Sequence, residues 1–434
     1  MERSWDMYKP SRRASITHPL LSYVQVLGKR TADHAEQLAK EGKGETLSLA
    51  IGDPALDGNL PPPKVYLDAM TEAVETTRCN GYTSSLGTPD ARAAVAAYWT
   101  RWFAPSEPTK LTAADVILAS GCSDALSIVM GALVGSGDRI LLSQPLFPQY
   151  TVLADYYGVE PVFYDCDPSK EWEVDLVGLQ ALLDKDQQEG RKIKAMLINN
   201  PSNPCGSNWS RSHVEAVVKL CEANGIPLVS DEIYAGMTFD IHSPSPGASP
   251  FTSVADIAST ATRFIVSGAS KRFGVPGDRL GWILQVDPTG RGAKVFKGCG
   301  TLTGRFLLPH TVLQRSIIQV LQETDESYYN HALGVLKKNA AHLYGELRAV
   351  KGLEPVVPAG GMFMSVRLHI PDFKEEIQNG VDFAGLLAAE ENVHVFPGDP
   401  FRMPNAFRLT ISRPSDITEE STRRIVAFCK RHTQ

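Results

Sequence analysis

Lys271 stands in Ser267-Gly-Ala-Ser-Lys-Arg-Phe-Gly-Val-Pro-Gly-Asp-Arg-Leu-Gly-Trp282, just past an apolar β-branched run, with Arg279 eight positions further on. A lysine enclosed at a strand end can lose its proton and hold an aldehyde as an imine, whereas a solvated lysine at the same place does no chemistry. Two upstream segments have the same setting. Asn199-Asn-Pro-Ser-Asn-Pro-Cys-Gly206 and Ser230-Asp-Glu-Ile-Tyr234 each follow an apolar run, Met196-Leu-Ile198 and Ile226-Pro-Leu-Val229. All three then lie at carboxyl ends of strands, where open α/β sheets bind ligands.

The side chains in these segments match the parts that a pyridoxal phosphate site requires. Ser120-Gly-Cys-Ser-Asp-Ala-Leu126 follows a strand and opens a helix. The N–H groups of Cys122 and Ser123, with the Ser123 hydroxyl, can therefore face a dianion, although the same pattern also makes an ordinary capping turn. Asp231 follows Pro227-Leu-Val-Ser230, which buries a carboxylate where it is costly without a cationic partner. It suits the protonated nitrogen of a pyridine ring, the electron sink of that cofactor, and otherwise reads as a solvated Asp-Glu turn. Tyr234 and the Asn203 amide can donate to a ring 3-oxygen and favour its anion, while a lone buried tyrosine is equally core.

Taken in order, these motifs, with Val275-Pro-Gly277 and Arg279-Leu-Gly-Trp282, resemble the fold type I, class I/II aminotransferases, and within them the branch acting on tyrosine, from about residue 47 to residue 428. The resemblance implies pyridoxal 5'-phosphate as cofactor, Lys271 as imine lysine and general base, Asp231 as pyridinium partner, and Asn203 and Tyr234 on the 3-oxygen. Phe147 would stack on the ring, and Arg279, Ser123 and the Cys122 amide would hold the phosphate. Tyr82, in Cys79-Asn-Gly-Tyr82, would reach the phosphate of a partner subunit in a homodimer. Arg408 would pair with the substrate α-carboxylate beside the backbone of Gly52, with Asn203 next to it. The chain departs from the family at Gly268, where relatives carry a phosphate-binding serine, so Ser270 and Ser267 are candidates for the missing hydroxyl.

The implied reaction is ping-pong transfer of an amino group from an aromatic amino acid, tyrosine foremost, to a 2-oxo acid. Alanine aminotransferase and carbon–sulfur lyase chemistry use the same cofactor parts and stay open as alternatives. Arg305, in Thr303-Gly-Arg-Phe306, is the candidate for a second substrate carboxylate, after the glycine-rich stretch Lys297-Gly-Cys-Gly300.

Holding these residues in place calls for an α/β fold. Short apolar runs at 116–120, 139–143, 161–164, 193–198, 227–230, 264–267 and 280–284 alternate with helical patterns, predicting a mainly parallel seven-stranded sheet between helices. The stretch 210–225 reads as an amphipathic crossover helix with a serine cap and a terminal glycine. From 326 to 350, Tyr329, Leu333, Leu336, Ala340, Leu343 and Leu347 recur at helical spacing. The expected division is an N-terminal arm with part of a small domain (1–65), a large cofactor domain (66–325), and a small α+β domain (326–434) entered through that long helix.

With 434 residues, 43% of them hydrophobic, the chain can bury a sizeable core, and a net charge of -6 gives no overall field for nucleic acid. Seven cysteines without a C-x-x-C pair argue against a disulfide framework or a structural zinc. No run is long enough for a membrane span, and the N-terminus has no secretory core. A cytoplasmic address is expected; Ser11, Arg12, Arg13 and Ser15 leave a mitochondrial one open against acidic Glu2 and Asp6.

Overall fold

The computed structural model describes residues 9–106, 110–245, 250–305, 307 and 309–434, so Glu2, Asp6 and Phe306 lie outside the described residues. Strands with no polar alternation are strands covered on both faces; all seven apolar runs become strands, six of them buried almost throughout, while Glu160–Asp167 alternates buried with half-buried and exposed residues. The main sheet orders them as Val116–Ala119, Gly281–Val286, Arg263–Gly268, Leu228–Asp231, Ile193–Asn199, Arg139–Gln144 and Glu160–Asp167, with an eighth, two-residue strand, Glu173–Val174, at the edge. The five strands from Arg263–Gly268 to Glu160–Asp167 run parallel. Gly281–Val286 runs antiparallel to both neighbours, and Glu173–Val174 antiparallel to Glu160–Asp167. That eighth strand was not expected, since two residues carry no apolar run.

Register does the positioning. Asn199 lies opposite Asp231, and Asp231 opposite Val266, so three adjacent parallel strands end side by side. The chain continues past those ends into Asn203, Tyr234 and Lys271. The crossover helix Arg211–Asn224 is capped by Ser210, whose hydroxyl accepts from the His213 N–H, and stops at Gly225 with φ 63.

The second sheet is antiparallel, in the order Leu353–Pro355, Phe363–Leu368, Ala406–Thr410, Phe396–Pro397. Leu47–Ser48 pairs with Val393–His394, tying the N-terminal arm to this part of the molecule. The long helix spans Glu326–Leu347, three residues short of its expected end, and buries the six residues that the spacing selects. Among the described residues no helix is long and apolar enough to cross a membrane, and no group of side chains has metal-ligand geometry.

Asn339 on that helix is buried, and its Nδ2 donates to the carbonyls of Ile411 (3.0 Å) and Arg413 (2.6 Å). Asn339→Ala leaves both acceptors unpaired and should cost about 2–4 kcal/mol in urea unfolding; an unchanged midpoint would show that this tie carries no stability.

Candidate active site

The three strand ends open into a cavity of about 450 Å³ whose lining includes Lys271, Asp231, Asn203, Tyr234, Arg279 and Arg408. Gly52, Cys122, Ser123, Phe147 and Ser270 line it as well. Eleven of the fourteen residues singled out from the sequence therefore converge; Ser267, Tyr82 and Arg305 do not.

Lys271 donates from Nζ to the Gly52 carbonyl at 2.7 Å. Desolvation lowers its pKa to about 8; Asp53 opposes this, while Arg408 and Arg279 add to it. The lysine thereby loses its proton far more readily than an exposed one. Asp231 is 3% exposed, and burial pushes its carboxyl up to about 6, against donors at Tyr150, Ile233 and Cys122. No cation forms an ion pair with it among the described residues, so the carboxylate faces the cavity with its charge uncompensated.

Arg408 presents the converse case. It is 3% exposed, on the strand Ala406–Thr410, with its guanidinium 3.8 Å from the Phe363 ring centroid and 4.5 Å from that of Phe401. Nη1 donates to Asn203 Oδ1 at 2.9 Å and Nη2 to the Ala50 carbonyl at 2.7 Å, while Nε has no partner among the described residues. Desolvation lowers its pKa to about 9, with Tyr234 opposing. A buried guanidinium with only neutral acceptors is built to receive a carboxylate from outside the chain.

Two glycines shape the turn before the helix Cys122–Leu133. Gly121 caps that helix with φ 83, and Arg279 bonds the carbonyls of Pro276 (3.0 Å) and Ser120 (3.5 Å) under the turn. A Cβ on Gly121 would lie 2.4 Å from Arg279 Nη2, and one on Gly281 would lie 2.4 Å from the Gly121 carbonyl carbon. Both glycines let the helix N-terminus, with its inward N–H groups, close on the guanidinium. Space and bonding separate the two serines. A Cβ on Gly268 would meet the Leu280 carbonyl oxygen at 2.7 Å, and Ser267 spends its hydroxyl on the Glu232 carbonyl, so Ser270 is the one of the two serines that lines the cavity.

Tyr82 is 94% exposed and contributes nothing to the cavity of its own chain. Arg305 is also exposed, beyond the helix Ala293–Thr303, with Nε donating to the Leu302 carbonyl at 3.3 Å. The expectation that Arg305 meets a second carboxylate is not supported within one subunit, because the helix end turns it to solvent. Sequence reasoning missed other lining residues: His18, Leu20, Leu21 and Val24 at the start of the helix Pro19–Asp33, and Tyr150. The His18-Pro19 pair was the available signal for that helix, since proline favours a first helical turn. A wider cleft of about 620 Å³ lies between Trp172 and Arg367, but its lining has no lysine and its one arginine pairs with Glu354.

A cavity lined by an amine, an uncompensated carboxylate, an uncompensated guanidinium and an anion cradle fits the chemistry of amino-group transfer on an aldehyde cofactor. The chain belongs to the family of class I and II aminotransferases, whose model matches residues 45–426. Tyrosine aminotransferase of Mus musculus is 38% identical over 387 residues, 89% of this chain and 81% of that protein. The crystal structure of tyrosine aminotransferase from Leishmania infantum superposes with a TM-score of 0.89 at 33% identity, covering 99% of this chain and 100% of that one. An S-alkyl-thiohydroximate lyase of Arabidopsis thaliana is 30% identical over 402 residues, 92% of this chain and 83% of that protein.

Gly281→Ala would push the Gly121–Cys122 turn off Arg279. Inorganic phosphate should raise the Tm of the cofactor-free wild type and fail to raise that of the variant; an equal rise in both would show that this turn is not the anion cradle.

Proposed function

We propose that this chain transfers the amino group of an aromatic amino acid, tyrosine foremost, to a 2-oxo acid, using pyridoxal 5'-phosphate. The observation that carries the reading is the sharing of one cavity by Lys271, with its lowered pKa, Asp231 and the anion-seeking Arg408. When bound, the cofactor supplies a carbonyl carbon that takes the amino group and a cationic ring that withdraws electrons from it. The residues present fit that group: Arg279, Ser123, Ser270 and the Cys122 N–H would hold the phosphate, and Asp231 would keep the proton on the ring nitrogen. Asn203 and Tyr234 would donate to the 3-oxygen, and Phe147 would cover one ring face.

Arg408 would bind the substrate α-carboxylate beside Gly52 and Asn203, fixing the Cα–H bond near Lys271. Lys271 Nζ, neutral once its proton is lost near pH 8, would take the Cα proton and return it at the other carbon. Leu20, Leu21 and Ile51 give the cavity an apolar wall, which supports an aromatic side chain over a short polar one. The exposure of Tyr82 supports a homodimer in which it reaches the partner's phosphate. Seven unpaired cysteines support a reducing, cytoplasmic setting. In the proposed division at 65/66 and 325/326, the pairing of 47–48 with 393–394 supports the placing of the N-terminal arm with the small C-terminal domain.

The lyase relative makes elimination the second reading. Without an oxo-acid acceptor, an aminotransferase should stop after one equivalent of amino acid per site, and repeated turnover would establish the lyase instead. With 2-oxoglutarate present, tyrosine, phenylalanine and tryptophan should outpace alanine in kcat/KM; the reverse order would overturn the aromatic preference. Arg408→Lys lacks the planar fork and should lower kcat/KM at least about 100-fold, the loss of charge-assisted hydrogen bonds to the carboxylate; an amine substrate lacking the carboxylate should lose far less.

A further inference from the structure

Tyr150 belongs to no motif that pointed to the site, yet it joins two of its parts. The residue is fully buried in the first turn of the helix Gln149–Tyr157, where its hydroxyl donates to Asp231 Oδ2 at 2.8 Å. Its ring stands edge-on to Phe147, centroids 5.8 Å apart at 87°, and its N–H bonds the Phe147 carbonyl at 3.1 Å. The other carboxylate oxygen, Oδ1, accepts the Ile233 N–H at 3.1 Å and the weakly donating Cys122 Sγ at 3.6 Å. A carboxylate rotates about its Cβ–Cγ bond unless both oxygens are held, and among the described residues Tyr150 is the side chain bonded to Oδ2. Burial, with Asp231 next in effect, raises the phenol well above its ordinary pKa, so the hydroxyl stays a donor.

We propose that Tyr150 is a positioning residue: its hydroxyl fixes the plane and the charge of the Asp231 carboxylate for the ring nitrogen of the cofactor, while its ring sets the face that Phe147 presents. The assignment rests on the pyridoxal phosphate reading. The hydroxyl's part differs from a packing role in one respect, because it acts only through the ring nitrogen. A cofactor analogue with carbon in place of that nitrogen, 1-deazapyridoxal phosphate, is therefore blind to it.

The test measures the affinity of cofactor-free wild type, Tyr150→Phe and the same change in an Asp231→Asn background for pyridoxal phosphate and for the 1-deaza analogue. Tyr150→Phe should weaken pyridoxal phosphate about tenfold, the loss of one hydrogen bond to a buried charge. It should change the analogue less than about twofold, and should have no effect once Asp231 is replaced. Equal weakening of both ligands, or persistence of the loss in the Asp231→Asn background, would reduce Tyr150 to packing and overturn the inference. Unchanged affinity for both ligands would overturn it as well. A wild-type chain that binds neither ligand would overturn the cofactor reading and this inference with it.

Discussion

Desolvation of the Lys271 amine among like charges is the interaction on which the rest of the site depends. An exposed lysine keeps its proton far above neutral pH, but here burial, with Arg408 and Arg279 adding to it, brings the pKa to about 8. The same enclosure makes the other groups costly unless something completes them. Among the described residues Asp231 has no cationic partner and Arg408 no anionic one, and Arg279 lies under a helix N-terminus shaped for an anion. A molecule carrying a pyridinium, a phosphate and a carboxylate-bearing substrate answers all three deficits together. This complementarity gives the buried charges a functional explanation that stability alone does not offer.

The sheet is what makes the charges tolerable. Lys271, Asp231 and Asn203 come from three neighbouring strand ends, so backbone register sets their spacing. Arg408 arrives from the other sheet, and its contacts with Asn203 and Ala50 join the cavity across both parts of the molecule. Substrate binding at Arg408 would therefore act on the junction between the sheets as well as on the reacting carbon.

Much of this was legible in the sequence because strands buried on both faces leave uninterrupted apolar runs, and the reactive residues fall just after them. Boundaries were less legible: the long helix ended at Leu347, three residues before the end that the apolar spacing suggested, because that spacing marks a helix's buried face and not its terminus. The strand Glu173–Val174 left no pattern at two residues. Tyr150 looked like any core tyrosine, for its partner lies 81 positions away. That Ser267 bonds the Glu232 carbonyl while Ser270 lines the cavity, and that Arg305 sits on a helix end turned to solvent, are not encoded in local spacing.

The most direct measurement is reduction by borohydride after the cofactor-free protein meets pyridoxal phosphate, across a pH series, with the modified lysine located by peptide mass mapping. The account predicts a single site of adduct at Lys271, with the rate of capture rising through a midpoint near pH 8. Adduct at another lysine, or a midpoint near the ordinary lysine value of about 10.4, would contradict it.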